Sequence, residues 1–233
     1  MLKIRCSSLG KIMTNSRSKK DVLSQTAKTY LKERIIEDKF GISKNFWSRY
    51  TDKGNQVEEQ GITLCNQVLN TELLYKNYES FENDFITGTP DINTDNMLID
   101  IKSSWNIYTF PFFEDKLPNK DYYFQLMGYM WLTGKTESLL CYCLLNTPEE
   151  IVEDEIRREH WKHHMIDEDP NIRKHVEDNH NFDDIENELR IKSFKVEYDQ
   201  AVIDQIKTRI QECRMYYDQL NKLLTIKEIQ HAE

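Results

Sequence analysis

The order of elements legible in the sequence is helix, helix, β-hairpin, helix, strand, strand, helix, and it predicts an α/β protein. Residues 1–233 are expected to form one domain, a small mixed β-sheet flanked by helices. Three observations carry that expectation. Apolar residues recur at helical spacing from Leu23 to Ile35, and strand-like segments broken by turn residues fill Leu73 to Ser104. The chain then closes on Val202, Ile206, Ile210, Cys213, Tyr217, Leu220 and Leu224, at steps of four and three, a long amphipathic helix.

The elements follow in order. Residues 7–14 read as a short opening helix with Ser7 or Ser8 available as N-cap. Leu23, Ala27, Tyr30, Leu31 and Ile35 mark the next helix, which Gly41 stops. A loop is expected around Asn45–Asp52 and a second helix from near Lys53. Phe81–Asn93 and Met97–Ser104 flank Thr94-Asp95-Asn96, turn chemistry for a hairpin. Residues 111–119 read as a loop, Tyr122–Leu132 as a helix, and Ser138–Leu145 as a buried strand between Gly134 and Pro148. Residues 149–190 differ in composition, with 15 acidic and 6 basic residues and five of the six histidines, and are read as an acidic, His-rich helical insertion at the surface. Lys192–Tyr198 alternates as a strand.

Composition narrows the function classes. Hydrophobic residues make up 39% and charged residues 30%, with 4 Trp, 12 Tyr and 10 Phe to fill an interior, so fibrous and disordered classes are excluded. No apolar run approaches the roughly 18 residues of a membrane helix, and the first residues carry no signal-peptide core. Five cysteines, an odd number without a secretion signal, lead to the expectation of a reducing cytoplasm and no disulfide framework. Net charge is −9, but it is unevenly spread: residues 1–50 hold 12 basic and 4 acidic residues, a net of +8 against −17 for the remainder. Phosphate binding depends on a local basic face, so the N-terminal region suits a polyanion partner and equally suits a basic, solvated helix.

The chemistry concentrates between Phe85 and Ser104. On a strand, Leu98, Asp100 and Lys102 share one face while Ile99 and Ile101 share the other. The turn at 94–96 brings Asp91 back toward Asp100. Two convergent carboxylates repel unless a cation lies between them, and Mg²⁺ suits hard oxygen ligands. The alternative is an ordinary hairpin with surface ion pairs. Glu58 shares a helical stripe with Ile62, Cys65 and Leu69, which aims a carboxylate inward, whereas Glu59 faces solvent with Thr63 and Asn66. The alternative for Glu58 is a partly exposed first-turn carboxylate favoured by the helix dipole. Gln125 lies on a stripe with Tyr122, Tyr129 and Leu132, where its amide can serve a water, a phosphate oxygen or the backbone.

Together, Gly54-x-x-x-Glu58, Pro90-Asp91, Asp100-x-Lys102 and Gln125-x-x-x-Tyr129 resemble the PD-(D/E)XK nuclease superfamily. Within it the chain is similar to the phage lambda exonuclease/YqaJ-like alkaline exonuclease family, over about residues 4–145 with a weaker echo in 192–224. The resemblance implies a restriction-endonuclease-like core and a Mg²⁺-dependent 5′-to-3′ exonuclease acting on linear double-stranded DNA. Such an enzyme leaves 3′ single-stranded overhangs for recombination. It implies two Mg²⁺ ions, for which Mn²⁺ can substitute, held by Asp91, Asp100 and the Ile101 carbonyl. Glu58 would be a ligand or would position a metal-bound water, Lys102 would activate the attacking water, and Gln125 would orient that water or the phosphate. Arg5 and Ser7, or Ser8 if the alignment slips, would grip a 5′-phosphate. A ring-shaped homotrimer, a single-strand annealing partner and a phage or prophage origin in a bacterial host are implied in the same way. The family often carries Glu where this chain has Asp100.

Other readings are weaker. His160, His163, His164, His175 and His180 suggest zinc, but no cysteine accompanies them and adjacent histidines do not share a helix face. Cys141 and Cys143 alternate on one strand face as core, and an iron–sulfur nuclease would need a C-terminal cysteine cluster where only Cys213 follows. The rivals to an exonuclease are an endonuclease or junction resolvase of the same superfamily, and a non-catalytic acidic protein that mimics DNA.

Overall fold

The computed structural model describes residues 1–44 and 48–230. The chain opens with β1 (Ile4–Arg5), a 3₁₀ turn at Cys6–Ser8 and α1 (Leu9–Met13). Ser8 occupies the N-cap position of α1, but neither it nor Ser7 caps with its side chain. α2 (Gln25–Phe40) is capped instead by Ser24, whose side chain accepts from the Ala27 N–H, and ends at Gly41 with φ of 67°, a left-handed conformation that glycine adopts without strain.

α3 (Arg49–Gln56) and α4 (Glu58–Val68) divide at Val57. The expected loop at Asn45–Asp52 is therefore helical from Arg49 onward, because the Ser48 side chain accepts from the Thr51 N–H and starts a turn early; residues 45–47 of that loop lie outside the described residues. The expected single strand over Phe81–Asn93 is three short ones: β2 (Phe81–Glu82), β3 (Ile86–Gly88) and β4 (Ile92–Asn93). Asn83 breaks the first junction, its Oδ1 accepting from the Phe85 and Ile86 N–H groups. Pro90, which has no N–H to give a ladder, sits at the second.

The chain continues through β5 (Leu98–Ser103), α5 (Lys120–Thr133), β6 (Glu137–Cys143), α6 (Glu149–Lys162), α7 (Pro170–His180), β7 (Ile191–Glu197) and α8 (Gln200–Gln230). Two sheets form where one was expected, with strand orders β1-β3-β2 and β4-β5-β6-β7. The division follows from the broken segment, which places β3 in one sheet and β4 in the other. β5 is interior: it pairs antiparallel with β4 (Ile92 with Ile99) and parallel with β6 (Asp100 with Leu140, Lys102 with Tyr142).

The four-stranded sheet separates two cores. On one face Leu98 and Leu140 meet α1, α5 and α8 through Leu9, Leu126, Met127 and Ile206. On the other, Ile99 and Ile101 meet α4 through Leu64 and Cys65, with Cys141 and Cys143 beside them. Gly61 lets α4 approach closely, since a Cβ there would lie 2.9 Å from Ile101 Cγ2. All five cysteines are free and buried.

Residues 149–190 fold as the α6–α7 pair, with Ile151, Ile156 and Val176 buried. Arg49 pairs with Glu155 and Gln56 donates to Glu150 at 2.7 Å, which fastens α6 to α3. Two of the five histidines here are buried and structural. His160 Nδ1 meets the Ile156 carbonyl at 2.8 Å while its Nε2 accepts from the Asp169 N–H, and His180 Nδ1 meets Thr147 Oγ1 at 2.8 Å. Among the described residues no helix is long and apolar enough to cross a membrane.

Candidate active site

The alternation of β5 puts Asp100 and Lys102 on one face, as expected, and that face meets α5. Asp100 is 1% exposed, so its carboxylate needs partners. Gln125 Nε2 donates to Asp100 Oδ1 at 3.1 Å and lies 3.0 Å from the Tyr129 hydroxyl, and Lys102 pairs with Oδ2. Apart from that ion pair, Oδ2 has no hydrogen-bond partner among the described residues.

Asp91 comes to the same place from the bend before β4. Its Oδ2 accepts from the Ile101 N–H at 2.7 Å, where β4 is too short to reach. The N–H and C=O of one strand residue leave on the same edge, so the Ile101 carbonyl also opens toward Asp91. Burial, then the negative charge of Asp100, pushes the Asp91 carboxyl up to about 7. Burial alone would lower Lys102, but Asp100 and Asp91 more than offset it and hold the ammonium above the ordinary lysine range. Lys102 also lies over the Tyr122 ring, 5.1 Å from its centroid.

Glu58 stands at the first turn of α4, its side chain 26% exposed rather than mid-face in the core. Its negative charge contributes to raising Asp91, so it faces the same cluster, and Glu59 is exposed as expected. The partner that meets Glu58 is Lys76, with Nζ 2.7 Å from Oε2. Gly54, four residues earlier, has open space around it, so no close packing requires a glycine there. The Arg5 and Ser7 side chains are exposed, while Ser8 is buried and bonds to Tyr30. Arg5 pairs with Glu37 and lines a cleft of about 670 Å³ with Lys3, Arg34, Thr87 and Arg214.

Among the described residues no three His, Cys, Asp or Glu side chains converge on one point as a ready metal cage. The Asp91 and Asp100 carboxylates act on each other, Asp91 sits on the strand edge of the Ile101 N–H, and among the described residues Asp100 Oδ2 accepts no directed hydrogen bond. Such a set fits an ion that prefers oxygen and keeps several waters, as Mg²⁺ does.

The sequence did not point to Lys76 and Asn77. Asn77 donates from its backbone to the Asp91 carbonyl at 2.7 Å and from its side chain to the Pro90 carbonyl at 2.9 Å. Both lie in an irregular connection where periodicity is silent. Their one legible signal is the side-chain chemistry of a lysine and a turn-forming asparagine.

A phage-related exonuclease from Haemophilus somnus 129PT is 33% identical over 96% of this chain and 96% of its own, with a TM-score of 0.79. This chain belongs to the lambda exonuclease/YqaJ-like alkaline exonuclease family. An alkaline exonuclease from Laribacter hongkongensis, also solved in complex with dAMP, shares the fold at 15% identity, with a TM-score of 0.68 over 98% of this chain and 94% of its own. No sequence-family profile matches the chain, and no curated protein does. The exonuclease fold thus places β5, α4 and α5 around one carboxylate–lysine–glutamine cluster.

Proposed function

We propose that the protein is a Mg²⁺-dependent deoxyribonuclease that degrades linear duplex DNA from a 5′ end and leaves 3′ overhangs for recombination. The observation that carries this reading is the convergence of Asp91, Asp100, Lys102 and Gln125 on one end of β5 in a member of an exonuclease family. Asp91, Asp100 and the Ile101 carbonyl would hold two Mg²⁺ ions, which supply Lewis acidity for in-line attack of water on the phosphodiester; Mn²⁺ can take their place. The chain's own residues orient the reactants. Gln125, fixed between Asp100 and Tyr129, aligns the water or a phosphate oxygen. Lys102 activates the attacking water or places positive charge where the phosphate gains negative charge. Glu58 faces the same space from α4, and Arg5 with Ser7 or Ser8 receives the 5′-phosphate. Single-strand annealing partnership, a homotrimeric ring and a cytoplasmic site of action in a phage-bearing host are supported by family membership.

Time-resolved digestion of an end-labelled linear duplex, with and without a 5′-phosphate, tests this in Mg²⁺ and in EDTA. Metal-dependent shortening of the phosphorylated 5′ strand, with covalently closed circles left intact, is the expected result. Cutting of closed circles would instead favour an endonuclease or resolvase, and no cleavage with any divalent ion would leave a DNA-mimicking binding protein.

A further inference from the structure

Residues 69–80 join α4 to β2 without regular structure, yet they are fastened on both sides of the candidate site. Leu74 is buried and tied to α4 by a reciprocal pair: its N–H donates to Asn66 Oδ1 at 2.8 Å and its carbonyl accepts from Asn66 Nδ2 at 3.0 Å. Asn77 is tied to the carbonyls of Pro90 and Asp91. Lys76 lies between these anchors, its Nζ 2.7 Å from Glu58 Oε2 and 5.7 Å from the centroid of the Tyr78 ring. The strap therefore delivers an ammonium to the one acidic side chain that α4 turns toward Asp91. Exposed ion pairs contribute little to stability, so two-sided anchoring is more than a surface pair requires.

We infer that Lys76 is a positioning residue that competes with a divalent cation for the Glu58 carboxylate. This rests on the nuclease reading above. The ammonium occupies an oxygen that a metal ion or its water would otherwise use, and its positive charge opposes any cation brought close. Lys76 thereby fixes the Glu58 rotamer and sets how much metal is needed to take that carboxylate over. Lys102 likewise pairs with Asp100. The cluster thus carries two internal cations, one from β5 and one from the strap.

The test is calorimetric titration of Mg²⁺ and of Mn²⁺ into the full chain as wild type, Lys76→Met, Lys76→Arg, Glu58→Gln and the Lys76→Met/Glu58→Gln double variant. Thermal midpoints establish that each is folded, and Lys76→Gln replaces Lys76→Met if the latter is not. Lys76→Met should bind the ions about three- to tenfold more tightly. Lys76→Arg should match wild type, and the double variant should match Glu58→Gln. An unchanged affinity in Lys76→Met, or a gain that persists without the Glu58 carboxylate, overturns the inference. If the wild type binds ions and digests duplex ends in either of those cases, only the role of Lys76 falls. A wild type that binds no divalent ion and digests nothing removes the nuclease reading along with it.

Discussion

Two lysines flank the end of β5, Lys102 half-buried and Lys53 fully buried, and their surroundings differ in kind. Lys102 lies against Asp100 and Asp91, and those carboxylates keep it charged despite burial. Lys53, 1% exposed on α3, donates to the Ser104 and Trp105 carbonyls at 2.8 and 2.9 Å, and burial lowers it to about 7 with no carboxylate to oppose the shift. A lysine near 7 has the value that suits proton transfer, so the shift alone would single out Lys53 as the reactive group. Its hydrogen-bond partners are backbone oxygens that tie α3 to the strand end, with the Phe182 ring beside it, and no carboxylate shifts it. Partners, and not the size of a shift, separate a reactive lysine from a structural one.

The largest effect expected from this contrast is on cleavage. Lys102→Met should reduce it by at least about a thousandfold while duplex binding persists, because the charge facing the reacting phosphate is gone. Lys53→Met should leave cleavage per folded molecule within about threefold. It should cost about 1–3 kcal/mol of stability, since two carbonyls inside the protein lose their donor. Denaturant unfolding alongside a digestion assay measures both, and the reverse pattern would exchange the roles of the two lysines.

A smaller effect comes from a change that alters no charge. A Cβ on Gly88 would lie 2.7 Å from Tyr129 Cε1 and 2.8 Å from Cys6 Sγ, so Gly88→Ala must displace the tyrosine whose hydroxyl meets Gln125. Cleavage should fall about tenfold through misplacement of Gln125, with the Lys53 end of the strand unaffected. Full activity in a folded Gly88→Ala protein would show that Tyr129 does not set the Gln125 geometry.

Much of this was legible before the fold was known, for reasons that differ from residue to residue. Strand alternation is binary, so placing Asp100 and Lys102 opposite Ile99 and Ile101 required only that β5 be a strand. The stripe containing Gln125 and Tyr129 held because α5 is cleanly bounded by Asn119 and by Gly134 in the left-handed conformation. Glu58 was placed on the correct face but too deep, because a stripe fixes direction around a helix and not distance from its end. Phe81–Asn93 failed as one strand because Asn83 and Pro90 override the apolar pattern locally. The burial of Lys53 left no signal, since a charged residue on a polar eight-residue helix reads as solvated until Ser104, Trp105 and Phe182 close around it.

The subtlest consequence of the contrast reaches His180, which packs edge-on against Trp105 with ring centroids 4.9 Å apart. Burial, followed by the positive charges of Lys53 and Arg49, lowers this imidazole to about 4. A histidine lowered in the folded state binds fewer protons there than in the unfolded chain. Its contribution to stability is therefore present above about 6.5 and is lost as pH falls toward 4. Lys53 has the same sign at higher pH: lowered to about 7, it makes the folded state relatively more stable as pH rises from 7 toward 10.5. Over the range where His180 titrates, Lys53 is charged, so Lys53→Met removes the second cause of the histidine's shift. Its titration, followed by NMR, should move upward by roughly half a unit, and the stability advantage of wild type over Lys53→Met should grow between pH 7 and 10.5. An unmoved His180 would mean that burial alone sets it. The Lys53 charge would then be absorbed by the Ser104 and Trp105 carbonyls, leaving Lys53 and His180 electrostatically independent.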